Sequence, residues 1–173
     1  LTEWKKHLFV QLFQATENLI RTGQMPANAQ EVRIKSRKKA VVSLSNPVMS
    51  GRIQSILEIL PSSLILNSPP VMILEFCTML GNNSGVKTFS AEERGFTKIL
   101  AWGDDRVGLF ASLAAGLADL NVKIITANAY TLKDRRVMDV FHITDHNDQA
   151  VVEQNHLKRI KTQLNKILTN TLP

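Results

Sequence analysis

Apolar positions recur at helical spacing through the first 80 residues, then shift to the tighter pattern of strands between residues 96 and 145. Trp4, Leu8, Leu12 and Leu19, joined by Phe9, Phe13 and Ile20, form a wide stripe that predicts a first helix stopped at Gly23. Gln24-Met25-Pro26 reads as a linker. A second helix is expected over 29–44, ending on Val41, Val42 and Leu44. Asn46-Pro47 opens a third, with Ile53, Ile56, Leu57 and Leu60 inward, as far as Pro61. Ser68 as cap and Pro69 in the first turn announce a fourth, running to about Leu80. Faces this wide make the helices a packing unit. The first could equally be the tail of a preceding domain, leaving Phe9 and Phe13 exposed.

Gly81-Asn82-Asn83-Ser84-Gly85 is the clearest boundary in the chain, and Val86 to Arg94 is either an extra strand or a tether. An apolar run from Phe96 to Trp102 follows, then a polar turn, Gly103-Asp104-Asp105-Arg106-Val107-Gly108. Leu109, Phe110, Leu113, Leu117 and Leu120 share one helical stripe. The small residues between them would let a sheet approach closely. Two runs rich in Val, Ile, Thr, Tyr and Phe, 122–131 and 137–144, suit a half-buried pleated surface, with Lys133-Asp134-Arg135 as the hairpin turn. Asp148 then introduces a helix with Leu157, Ile160, Leu164 and Ile167 on one face. Strand, helix, strand, strand is the front half of a split β-α-β, ferredoxin-like unit. The expected class is α+β: a helical segment (1–80), a linker (81–95) and a βαββα domain (96–173) that lacks its final strand. A sheet short of one strand leaves either an unpaired edge or a gap between strands. Either a second copy or the Val86–Ser90 segment is expected to cover it.

Composition narrows the function. At 44% hydrophobic and 21% charged, the chain has globular character, and no apolar run approaches the roughly 18 residues of a membrane span. The start carries neither a secretion signal nor an initiating Met. Cys77 stands alone, which excludes an internal disulfide and fits a reducing cytoplasm. The expectation is a piece of a longer cytoplasmic protein. Residues 1–47 carry eight Lys or Arg against three Glu, and Arg33 to Lys39 is the densest run. Such a run is a phosphate or nucleic-acid patch or a solvated helix face. No aromatic side chain is interleaved to stack on bases, so no nucleic-acid partner is expected.

Candidate chemistry is sparse. His142, Asp145 and His146 lack further close ligands for a metal, and His142 reads as a strand-face side chain. Asp104 and Asp105 are better placed to hold the turn or cap the helix at Leu109 than to act as an acid–base pair. Cys77 reads as a small buried hydrophobe. Phosphate loops, dinucleotide fingerprints and serine-nucleophile elbows are missing from the sequence. No catalytic residue and no metal ligand is assigned. If Leu109 starts a helix, the N–H groups of Val107 to Phe110 face the turn at the positive end of the dipole and can hold a carboxylate. Gly108, without a Cβ, permits close approach of a ligand. The alternative is a turn that simply joins strand to helix.

Asp105-Arg106-Val107-Gly108-Leu109-Phe110, Leu117-Ala118-Asp119-Leu120 and Met138 to Asp145 resemble ACT domains, small regulatory modules that bind amino acids. The wording is most similar to the first ACT domain in the family of bifunctional uridylyltransferase/uridylyl-removing enzymes, which modify the PII nitrogen-signalling protein. Trp4-Lys5 and Ser68-Pro69 resemble the segment joining the HD and ACT domains there. The resemblance implies a regulatory, glutamine-sensing part with no catalysis of its own. The transferase and hydrolase activities, any Mg requirement and the encounter with PII would belong to the parent enzyme. It also implies no cofactor in this stretch and allows a homodimer through the ACT sheet, while the lack of a long apolar run leaves no membrane partner expected. Carried over by motif, the ligand-binding positions are Asp105, Arg106, Val107, Gly108 and Leu109, with Asn121, Lys123, Ile124 and Ile125 opposite, at a junction between domains. Three departures stand out: Val107 replaces a Pro, Lys123 replaces an Asn, and Arg135-Arg136 replaces the Gly of the hairpin. A Lys cannot accept a hydrogen bond from an ammonium. Glutamine binding by this chain alone is therefore expected to be weak or absent, and saturation at micromolar glutamine in calorimetry would contradict that.

Overall fold

A computed structural model describes residues 29–81, 84–91 and 94–169, with Lys5, Lys6, Phe9, Val10, Phe13, Thr16, Glu17, Ile20 and Arg21 at helical positions before them. Of the first predicted helix, Trp4, Leu8, Leu12, Leu19 and Gly23 lie outside the described residues, as does the linker 24–26. Phe9, Phe13 and Ile20 are exposed.

Helix α1 (Ala29–Leu44) coincides with its prediction. The Asn46 side chain accepts from the Val48 amide at 3.0 Å and caps a 3-10 turn, Pro47–Met49, that leads into α2 (Ser50–Ile59). A short helix the sequence reading missed, α3 (Ser62–Asn67), then buries Leu64 and Ile65. Helix α4 (Pro70–Met79) begins one residue later than expected: Pro69 is the cap residue and Pro70 lies in the first turn. Ser68 instead closes α3, and its carbonyl accepts from Arg37. The Ser-Pro-Pro wording marks the boundary but does not say which Pro carries helical geometry.

The sheet has four antiparallel strands in the order β1-β2-β4-β3: β1 (Gly85–Ala91), β2 (Phe96–Asp104), β3 (Lys123–Thr131) and β4 (Arg136–Thr144). The stretch expected as a linker, 81–95, therefore contains a strand. Pairing Val86↔Ala101, Thr88↔Ile99 and Ser90↔Thr97 lays β1 along the outer side of β2, the edge expected to lack a partner. Of the two covers proposed for that edge, the chain's own preceding segment fills the role. Gly85 has a steric reason: a Cβ there would lie 2.6 Å from the Trp102 ring.

Helices α5 (Leu109–Ala118) and α6 (Gln154–Leu168) cover one face, where Ile99, Ala101, Phe141 and Ile143 meet Leu113, Leu117, Ile160 and Leu164. The small residues of α5 serve a helix as well: a Cβ on Gly116 would sit 2.5 Å from Ile167. Asp148 does not start α6, which begins six residues later after Glu153. Asp148 has a left-handed backbone (φ 61°) in the preceding turn and pairs with Lys123 at 3.1 Å. The other face carries Leu100, Trp102, Tyr130, Met138 and Val140 against α1–α4, in one core with Val41, Leu57, Leu64, Ile73 and Phe76. Polar links fasten the helical layer to the sheet. Lys133 N donates to Ile59 O at 3.0 Å, Arg136 Nη1 to Leu80 O at 2.8 Å, and Lys87 pairs with Glu75. Helices, sheet and helices form three layers. Among the described residues, no helix is long and apolar enough to cross a membrane.

Candidate functional site at the β2–α5 turn

The turn between β2 and α5 is closed by its own backbone. Leu109 N donates to Arg106 O at 3.1 Å, and Ser112 N and Oγ both donate to Gly108 O at 2.9 Å. Gly108 occupies the cap position with φ 78°, a left-handed conformation that favours glycine, and makes no side-chain cap. Asp104 and Asp105 therefore do not cap α5; Asp104 is the last residue of β2, and both are exposed. The space beside Gly108 is open: nothing lies within 4 Å of where its Cβ would be. Of the amides expected to face the turn, that of Leu109 is occupied. Those of Val107, Gly108 and Phe110 have no backbone acceptor among the described residues, at the positive end of a ten-residue helix. Val107 is fully exposed and Leu109 is buried.

Arg106 is engaged by the end of α6. Its guanidinium donates to Leu168 O at 2.9 Å and to Ile167 O, fixing the last turn of α6. A cation at a helix C-terminus complements the carbonyls that lack intrahelical partners. The motif thus positions Arg106 as a clamp between turn and α6, and its charge is committed there.

The second group of expected ligand positions lies elsewhere in this chain. Asn121, with φ 60°, is in the turn after α5. Lys123 opens β3, with Nζ donating to His146 O at 2.9 Å and to Asp148 Oδ1 at 3.1 Å. Ile124 pairs with Ile143, and Ile125 is the extra residue of a bulge before Thr126. Asp104 pairs with Arg136 at one end of β4, while Lys123 pairs with Thr144 at the other. The two groups are therefore separated by the length of β4, roughly 25–30 Å at the usual rise per residue.

The remaining polar candidates are occupied structurally. His142 Nδ1 shares a hydrogen bond with Thr126 Oγ1 at 2.8 Å, and its ring lies 4.5 Å from that of Phe96. Asp145 Oδ1 accepts from the Asn147 and Gln149 amides, both at 2.9 Å. Among the described residues no cluster of three His, Cys, Asp or Glu is placed to hold a metal. Cys77 is fully buried, and burial pushes its thiol up to about 12, so no thiolate is available. In the basic run, Lys38 pairs with Glu58 at 2.7 Å, and that hydrogen bond holds the Glu58 carboxyl below its ordinary range.

Sequence reading missed Asp139. It sits in mid-β4, 2% exposed, and burial, helped by the charge of Asp105, pushes its carboxyl up to about 6. The available signal was an acid inside the apolar run Val137-Met138-Asp139-Val140-Phe141.

The sequence profile of the ACT domain family matches residues 97–168, the interval holding β2, α5, β3, β4 and α6. Residues 97–168 are an ACT domain. Similarity also extends across the helical layer. A bifunctional uridylyltransferase/uridylyl-removing enzyme of Vibrio cholerae is 27% identical over 165 residues, 91% of this chain and 19% of that protein. One of Rhodospirillum rubrum is 23% identical over 177 residues, 98% of this chain and 19% of its own length. An ACT domain-containing protein of Arabidopsis thaliana is 37% identical over 65 residues, 37% of this chain and 14% of that protein. The chain spans about a fifth of the length of the uridylyltransferase relatives it matches. The ACT domain marks it as a regulatory, small-molecule-binding part. Strand β1 stands outside the matched interval, yet it completes the sheet.

Proposed function

We propose that this chain is the amino-acid-sensing part of an enzyme that uridylylates and deuridylylates the PII signal protein, with glutamine as effector and no cofactor of its own. The observation that carries the reading is the opening at Gly108, where amides at the start of α5 are free of backbone acceptors and the Arg106 guanidinium is held by carbonyls of α6. That arrangement accepts an anionic group such as an amino-acid carboxylate. The positions Asp105 to Leu109 make one half of the site. The other half, Asn121 and Lys123 to Ile125, comes from a second ACT unit. Strand β3 lies at the edge of the sheet. Pairing it antiparallel with β3 of another unit lays the Lys123 end of one beside the Thr131 end of the other. Thr131 is level with Gly103, next to the turn, through Val137. A homodimer, or a tandem pair, thus joins halves that a single chain keeps apart, and it explains why the isolated chain should bind glutamine weakly.

Allosteric control then requires that glutamine prefer one arrangement of the units. A second reading, a purely structural interaction module, draws support from Phe9, Phe13 and Ile20, which are exposed at 60%, 69% and 77%. Gly108→Val in the intact longer protein separates the two. Loss of the glutamine response with preserved folding and basal transfer supports the sensor; an unchanged response supports the structural module.

A further inference from the structure

Asp139 has no evident structural duty. Strand alternation turns it to the face that carries Val137, Phe141 and Ile143, beneath α5 and α6. Its cross-strand neighbours are Ala101 on β2 and Ala129 on β3, so a single methyl flanks it on each side. Phe110, in the first turn of α5, stacks on Phe141 with ring centroids 5.4 Å apart, which sets that turn above the same stretch of β4. Asp105 is close enough for its charge to act on the Asp139 carboxyl. No hydrogen-bond donor or counter-charge reaches Asp139 among the described residues, and Arg106, next to Asp105 in sequence, is held by carbonyls of α6. A carboxylate removed from water without a partner is costly, and such groups are usually paired.

We propose that Asp139 is the specificity-determining residue of the turn site, its buried carboxylate receiving the ammonium of a zwitterionic ligand whose carboxylate meets the first-turn amides of α5. The inference rests on the reading of the turn as a binding site, and it names a role for a residue outside the expected ligand set. Asp105 supplies a second, exposed acid on the same side, so the site presents positive amides and negative carboxylates to opposite ends of an α-amino acid. A ligand lacking the amine would satisfy only the amides.

The test is an amide-resolved NMR titration of the 173-residue chain with glutamine and with the analogue in which hydrogen replaces the α-amino group, using wild type, Asp139→Asn and Asp139→Ala. Wild type should prefer glutamine, and Asp139→Asn should weaken glutamine about tenfold or more while leaving the analogue unchanged. The Asp139 side-chain carbon in wild type should titrate at lower pH with glutamine present. A folded Asp139→Asn that binds glutamine like wild type, or loses both ligands equally, overturns the role of Asp139 alone. If neither ligand moves the turn resonances of wild type, the binding-site reading falls with it.

Discussion

At the scale of single residues, Asp139 makes a prediction for pH. Its folded carboxyl titrates near 6, above the ordinary value of about 3.9 for an unfolded Asp. Between those values the folded state holds more protons than the unfolded one, so this residue makes stability fall as pH rises. Asp139→Asn should therefore be more stable than wild type above pH 6, by roughly 2–3 kcal/mol, with the difference fading to nothing below pH 4. Urea melts across that range check it; a variant less stable at high pH would contradict it. Gly108→Val forces a β-branched residue into φ 78° and should cost about 1–2 kcal/mol, measured the same way. Arg106→Ala removes donors to Ile167 O and Leu168 O. It should cost roughly 1–3 kcal/mol and speed hydrogen exchange in the last turn of α6. The Gly at 108 could be read from the motif. The clamp role of Arg106 could not, because its acceptors lie some sixty positions further along the chain.

At the scale of elements, what could be read was local and what could not was long-range. Periodicity within one segment placed α1, β3, β4 and the apolar face of α6, since side-chain spacing follows from backbone geometry alone. The short α3 escaped because six residues between prolines carry too little period to distinguish a turn of helix from a loop. Asp148 looked like a cap, but a left-handed Asp in a turn serves another purpose there. The role of β1 depends on which strand it meets, information that its own residues do not contain. Close packing at two glycines gives further predictions. Gly116→Val should push α6 from α5 at Ile167, losing roughly 1–3 kcal/mol, visible as a lower melting temperature. Gly85→Val should similarly displace the Trp102 ring and shift its fluorescence.

For the whole molecule, the helical layer and the ACT domain are one stability problem. Leu100, Trp102, Tyr130, Met138 and Val140 face α1–α4, so the sheet is apolar on both sides. Removing residues 1–91 would bare that face and the β2 edge together. The remainder should oligomerise or fail to fold, as read by chromatography with light scattering; a stable monomer would contradict the shared core. The candidate site was half legible: the turn stood out by its wording, while the separation of its two groups emerges only from strand register. The most direct test of the central claim is to titrate the chain with glutamine while following backbone amides by NMR. A regulatory site at the β2–α5 turn predicts saturable shifts at Val107, Gly108 and Phe110 at high glutamine concentration. Glutamine that leaves those amides unmoved up to its solubility limit, or moves only residues elsewhere, would contradict it.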